Sequence, residues 1–276
     1  MKKTWFITGA SKGFGLELVR QLLAKNENVA ATSRNKKELS EIIGEHENFL
    51  ALQMQLNDES DVKKAIDSTI EKFGSLDVII NNAGYGLVGS VEELSDEETR
   101  QNFEINVFGS LNVIRQGLPQ MRKQRSGHIF NISSIGGYLG DFPGFGIYCA
   151  TKFAVIGFTE ALAMEVKAFN INATAVLPGY FRTNFLNSGS LITPKNEIAD
   201  YESTRESQNV HQNEINLNQN GDPLKGAKVI IDTVYADNPP VHLFLGSDAY
   251  KLANDKAKSV IDELESWKDV TVSTDF

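Results

Sequence analysis

A chain of 276 residues, 41% hydrophobic and 23% charged, is long enough for one large α/β core, and its composition excludes global disorder. Its formal charge of -9 argues against nucleic acid or an anionic membrane as the main partner, because both need clustered Lys and Arg on the binding face. The single cysteine, Cys149, excludes an intramolecular disulfide or a Cys-rich metal site and points to a reducing, cytoplasmic setting.

The basic start Met1-Lys2-Lys3 precedes an apolar stretch, Trp5 to Ile7, that ends in a glycine turn and is far too short for a secretory signal. No apolar run approaches the roughly 20 residues that span a bilayer. Short apolar runs instead alternate with longer stretches of 3.6-residue period. That alternation predicts repeated βα units and an α/β fold in which helices flank a doubly wound, Rossmann-like parallel sheet within a single domain, 1–276. The predicted strands are Thr4 to Thr8, Asn28 to Ser33, Phe49 to Gln55, Val78 to Asn81, His128 to Ser133, Asn172 to Leu177 and His242 to Leu245.

The first strand runs into Thr8-Gly9-Ala10-Ser11-Lys12-Gly13-Phe14-Gly15, followed by the helical pattern Leu16, Val19, Leu22, Leu23. Glycine there lets the backbone approach a pyrophosphate, and the free N–H groups of the helix add donors and positive potential. The spacing is that of neither G-x-G-x-x-G nor a Walker loop, so a plain Gly-rich turn stays open on this loop alone. The second strand ends in Thr32-Ser33-Arg34-Asn35, where an NAD enzyme would place a carboxylate against the ribose 2'-hydroxyl. A cation at Arg34, joined by Lys12, would instead suit a 2'-phosphate and favours NADP(H) over NAD(H). The alternative is that both are solvated surface charges.

Val62, Ala65, Ile66, Thr69, Ile70 and Phe73 recur on one helix face, with Gly74 as the stop. The next helix opens with the capping-box pair Ser95 and Glu98 and carries Phe103, Val107, Leu111, Ile114 and Leu118 as its inner stripe. Asn106 falls in that stripe, and a buried amide needs partners. From Tyr148 to Phe169 so little of the helix is polar that one face is expected to meet the sheet and another, around Val155, a second chain. Tyr148 and Lys152 stand at i and i+4 on that helix, where a positive neighbour can turn a phenol into a general acid/base, although surface packing would give the same spacing. The stretch 184–221 is Asn/Gln-rich and weakly periodic, the pattern of a substrate lid or a partly disordered loop, and Asp222-Pro223 restarts a helix. The four histidines lack metal-ligand spacing, so no metal site is expected.

In order, Thr8-Gly9-x-x-x-Gly13-x-Gly15, Asn81-Asn82-Ala83-Gly84, Asn106, Ser133-Ser134, Tyr148-x-x-x-Lys152 and Pro178-Gly179 with Thr183 resemble the short-chain dehydrogenase/reductase family over Thr4 to Thr183. The resemblance implies a hydride exchange between NADP(H) and a small carbonyl or alcohol substrate. It also implies a catalytic tetrad of Asn106, Ser134, Tyr148 and Lys152. In that tetrad the tyrosine moves the proton, the serine steadies the substrate oxygen, the lysine binds ribose and acidifies the phenol, and the asparagine holds a relay water or is satisfied by main chain. Cofactor contacts carried over by position are Gly9, Ser11, Lys12, Gly13, Phe14, Gly15, Ser33, Arg34, Asn82, Ala83, Gly84, Tyr148, Lys152, Pro178, Gly179, Phe181 and Thr183. The family also implies a homodimer or homotetramer, and a nucleotide-sensing protein without turnover is the competing function. Two features depart from the pattern. Gln55-Leu56-Asn57 stands where the family has an adenine-binding Asp, and one extra residue between Ser134 and Tyr148 leaves Ser133 open as the alternative serine.

Overall fold

Apolar runs bounded by turn residues become strands buried on both faces, and helices then have to cover both sides of the sheet. The computed structural model describes residues 2–187 and 189–276. In chain order the first half comprises β1 (Thr4–Ile7), α1 (Gly13–Ala24), β2 (Asn28–Ser33), α2 (Lys36–Ile43), β3 (Phe49–Gln53), α3 (Glu59–Phe73), β4 (Val78–Asn81), β5 (Gly86–Leu87), α4 (Asp96–Phe103) and α5 (Gly109–Gln124). The second half comprises β6 (Gly127–Ile132), α6 (Gly146–Val166), β7 (Ile171–Pro178), β8 (Leu191–Ile192), α7 (Glu202–Asn209), α8 (Pro223–Thr233), β9 (His242–Leu245), α9 (Ser247–Ser266) and α10 (Lys268–Val272).

The main sheet has seven strands in the order β3-β2-β1-β4-β6-β7-β9, all parallel, so the predicted fold class holds and each predicted strand lies within two residues of an observed one. Alternation along β1 divides the core. Trp5 and Ile7 join Leu18, Leu22, Val29, Ile230 and Ile231 on one face, while Phe6 joins Ile66, Ile79, Val113 and Leu162 on the other. Each such side chain, fully withdrawn from water, contributes about 1.5–3 kcal/mol. The order reverses between β1 and β4, and the crevice beyond the carboxyl ends of the strands at that switch is where doubly wound sheets take their ligands.

Caps set the helices as the sequence predicts. The Ser95–Glu98 capping box is formed, Gly74 closes α3 at φ 80°, and Asp222 caps α8 with Pro223 in its first turn. The inner stripe of the α4–α5 helix holds at Val107 and Ile114, which are buried, and is corrected elsewhere. A π-turn at Glu104–Phe108 adds a residue and rotates the buried line onto Asn102, Asn106, Gly109, Ser110, Val113, Gly117 and Met121. Phe103, Leu111 and Leu118 move to its margin.

α6 is long and apolar enough to pass for a membrane span, yet Thr151, Val155, Thr159, Leu162 and Val166 are buried on the protein's own sheet side. Val155 is therefore core, a correction to its expected place on a partner-facing surface. The exposed apolar side chains nearby are Phe108, Phe153 and Met164. The stretch 184–221 is more ordered than its composition predicts. It carries β8, which pairs in parallel with β5, then α7 and a π-turn at Val210–Ile215. α9 and α10, which the periodicity did not reveal, are exposed from Lys258 onward.

Candidate active site

The glycine loop and the end of β4 close on each other at the topological switch. A Cβ on Gly9, which has φ 65°, would lie 2.8 Å from Ala83 Cα, and one on Gly15 would lie 2.5 Å from Gly9 O and 2.6 Å from Asn82 Nδ2. No side chain larger than hydrogen fits either position without moving backbone. Asn82 fixes the arrangement, its Nδ2 donating to Thr8 O at 3.0 Å and Gly9 O at 2.9 Å. Thr8 Oγ1 accepts from the N–H groups of Asn82 and Ala83, both at 3.0 Å. The amide of Asn82 thus braces the loop from the lining of the cleft.

The N-terminus of α1 fits a pyrophosphate. Asn35, Asp58, Ser95 and Asp222 cap their helices with side-chain oxygens, but Lys12 places no side-chain cap on α1, whose first turn holds no acidic residue. Its leading N–H groups therefore remain available to an anion. Thr183 lies across from them, 3.8 Å from where a Gly13 Cβ would stand. Phe14 packs on Phe181 with ring centroids 4.9 Å apart, and Gly226 lets both approach α8.

Gly9, Lys12, Gly13, Phe14, Ala83, Phe181 and Thr183 line one cavity of about 680 Å3, together with Ser11, Ser33, Arg34, Gly84, Pro178 and Gly179. Gln55, Leu56 and Asn57 line it too, at the place where the family's Asp is missing. Arg34 is exposed at the cavity edge, whereas Lys12, expected to join it, crosses to Ser190 with Nζ 2.5 Å from Oγ.

At the other end of the cavity Tyr148 is 8% exposed and shares the lining with Ser134. Burial pushes the phenol far above its ordinary value, the neighbouring Ser134 hydroxyl opposes that rise, and Cys149 and Tyr180 add to it. Ser134 Oγ also accepts from Gly136 N at 3.1 Å, while Ser133 is turned away and donates to Lys152 O at 2.9 Å. Of the two serines, Ser134 is the one beside the phenol. Lys152 Nζ donates to Ile132 O at 2.9 Å and sits 5.8 Å from the Tyr148 ring centroid. Burial holds its ammonium down at about 8. Such a pair suits a proton donor that stays protonated at neutral pH beside a cation that is lost as pH rises past about 8.

Asn106 is satisfied by protein. Its Oδ1 accepts from Tyr85 N at 3.0 Å, and its Nδ2 donates to Tyr85 O at 3.0 Å and Thr151 Oγ1 at 3.1 Å. The main-chain explanation for this buried amide is the one the geometry supports. Cys149 is buried, and its thiol is pushed up to about 11 by that burial, far from a nucleophile's range.

Leu87, Phe142, Phe145, Phe185, Leu186 and Ile192 give the Tyr148 end of the cavity its apolar walls. Tyr180 and His211 line the same end, and neither was singled out from the sequence. Tyr180 follows Pro178-Gly179 directly, a usable signal, but nothing local marks His211 within its polar stretch. Residues of 184–221 are pinned to the body through Glu93, whose carboxylate accepts from Ser90 N at 2.7 Å, Ile198 N at 2.8 Å and Arg205 NH2 at 2.8 Å. Burial pushes Glu93 up, but those donors outweigh it and hold the carboxyl below its ordinary value. Arg205→Ala is expected to speed chymotryptic cleavage within 184–221 about tenfold, the worth of one charge-assisted bond to local opening. An unchanged cleavage rate would show that this anchor carries no weight.

The family model "short chain dehydrogenase" matches residues 3–190. Among known proteins, the 3-ketodihydrosphingosine reductase of Bacteroides thetaiotaomicron is 39% identical over 242 residues, covering 87% of this chain and 86% of its own. A short-chain dehydrogenase of Streptomyces avermitilis superimposes with a TM-score of 0.91 at 35% identity, all of both chains covered. The structure described as ElxO with NADP bound superimposes with a TM-score of 0.74 at 29% identity, over 91% of this chain and 100% of that one.

Proposed function

The chain belongs to the short-chain dehydrogenase family, and on that premise we propose that it is an NADP(H)-dependent reductase in which Tyr148 hands a proton to the oxygen of an apolar carbonyl substrate. The observation that carries this reading is that Tyr148, Ser134 and buried Lys152 line one cleft, with Lys152 Nζ 5.8 Å from the Tyr148 ring centroid, together with the uncapped N-terminus of α1. A nicotinamide bound there would supply or remove the hydride. The glycine cradle and the open helix terminus would hold its pyrophosphate, Lys152 would hold its ribose, and Pro178, Gly179, Phe181 and Thr183 would flank its ring. Ser134 would donate to the substrate oxygen alongside Tyr148, and the segment 184–221 would close over the substrate as a lid. The NADP-bound relative supports a phosphorylated cofactor, and the reductase relative supports a carbonyl substrate.

The preference for NADP(H) rests on Arg34 at the rim where the ribose 2'-position would lie. Arg34→Asp is expected to weaken NADPH binding by about 1.5–3 kcal/mol, roughly 10- to 100-fold, and to leave NADH affinity nearly unchanged. Titration calorimetry with both nucleotides checks this, and equal wild-type affinities would remove the preference. We also propose that exposed Phe108, Phe153 and Met164 pair copies of the chain, so that light scattering returns a dimer or tetramer mass.

A further inference from the structure

Two polar groups stand at the substrate end of the cleft apart from the Tyr148 cluster, the Tyr180 phenol and the His211 imidazole, which approach to 2.9 Å. Their protons can be placed. His211 Nδ1 lies 2.7 Å from Ser207 O, and a carbonyl can only accept, so Nδ1 carries the proton. The ring is 9% exposed, 4.6 Å from the Phe145 ring centroid and edge-on to Phe142, and burial holds it below its ordinary value. A neutral imidazole protonated on Nδ1 has a bare Nε2, and the Tyr180 hydroxyl is the donor that fills it.

That assignment fixes what Tyr180 can offer a ligand. Its one proton is committed to His211, so its oxygen presents only lone pairs to the cleft. The residue is held in place by Tyr180 N donating to Asp248 Oδ2 at 2.6 Å. Phe145 stands between the two polar points, its ring centroid 6.4 Å from that of Tyr148 and 4.6 Å from that of His211. One end of the apolar chamber therefore donates, at Tyr148 and Ser134, while the other accepts.

We propose that Tyr180, oriented by His211, is a second recognition point that accepts a hydrogen bond from a hydroxyl or N–H group on the substrate, away from its reacting carbonyl. This deepens the reductase reading and rests on it for the identity of the carbonyl end. The substrate class is an apolar ketone or aldehyde bearing a remote hydroxyl, amine or amide N–H. A carboxylate at that position would meet the lone pairs of the Tyr180 oxygen, and is disfavoured. A site built to bond a donor rejects the analogue lacking it, because the acceptor is left desolvated.

Acetophenones carrying hydrogen, hydroxyl or methoxy at ring position 3 or 4 test the proposal by calorimetric binding to the NADP-saturated protein, at a pH below the probes' own phenol pKa. The wild-type protein is expected to bind the hydroxyl compound about tenfold more tightly than the methoxy compound at one of the two positions, the size of one hydrogen bond. Tyr180→Phe is expected to erase that preference. His211→Leu, which frees the Tyr180 proton, is expected to shift it toward the methoxy acceptor. The proposal is overturned if the wild type shows no hydroxyl preference at either position, or if the preference survives Tyr180→Phe. Binding needs no turnover, so its outcome is separate from the reductase reading, which fails if no carbonyl compound supports NADPH oxidation.

Discussion

Tyr148→Phe is expected to lower kcat for NADPH-dependent carbonyl reduction by about 10³-fold, within the range that a positioned general acid supplies. No neighbour can take over the proton. Lys152 donates to Ile132 O and faces the phenol only at 5.8 Å from its ring, and Ser134, which accepts from Gly136 N, has no base beside it. The variant should still fold, because Ser134 keeps its bond from Gly136 N and the benzyl ring keeps the packing of Phe145 and Phe185 around it. NADPH affinity should change little, since the phosphate-binding glycines lie at the far end of the cleft. Steady-state NADPH oxidation paired with calorimetric NADPH binding makes the check. Turnover within tenfold of wild type, at unchanged affinity, would remove Tyr148 from the acid/base role.

The parallel sheet could be read from sequence because its central strands are short runs buried on both faces, a pattern that survives without knowledge of neighbours. The site was legible where chemistry is local: glycine spacing after β1, and a phenol four residues before an ammonium on one helix turn. What escaped depends on residues far apart in the chain. The π-turn at Glu104–Phe108 shifts the buried line by a residue, a rotation invisible to a pattern that assumes a constant 3.6-residue period. The bond from Lys12 to Ser190 spans 178 positions, and no local rule foretells that a loop cation will turn from Arg34 toward a serine in a polar stretch. Tyr180 and His211, 31 positions apart, meet only because 184–221 folds back along β5 and over Phe145.

Lys152→Met is expected to yield a protein that is more stable and nearly inactive. Burial lowers the Lys152 ammonium from 10.5 to about 8, and at neutral pH the folded state therefore carries a buried charge that costs about 3 kcal/mol relative to the unfolded chain. Removing it gives up the hydrogen bond to Ile132 O, worth about 1 kcal/mol, so the net gain is about 2 kcal/mol and Tm should rise by roughly 4–8 °C. The penalty is fully present below pH 8, where the folded protein must hold a proton it binds poorly. It fades as pH rises from about 8 toward 10.5, because only the unfolded chain still binds that proton. Wild-type stability should therefore climb across that window, and the variant should lack that component of the rise. In the same direction, kcat/KM of the wild type for reduction should fall as pH passes about 8 and the cation beside the phenol is lost. Tyr148 itself, pushed upward by burial, stays protonated through the assay range. Calorimetric melting without cofactor and a kcat/KM profile from pH 6 to about 10 separate the two effects. A variant of unchanged or lower Tm, with a flat wild-type stability profile, would show that the ammonium is better solvated than its enclosure beneath Tyr148 implies.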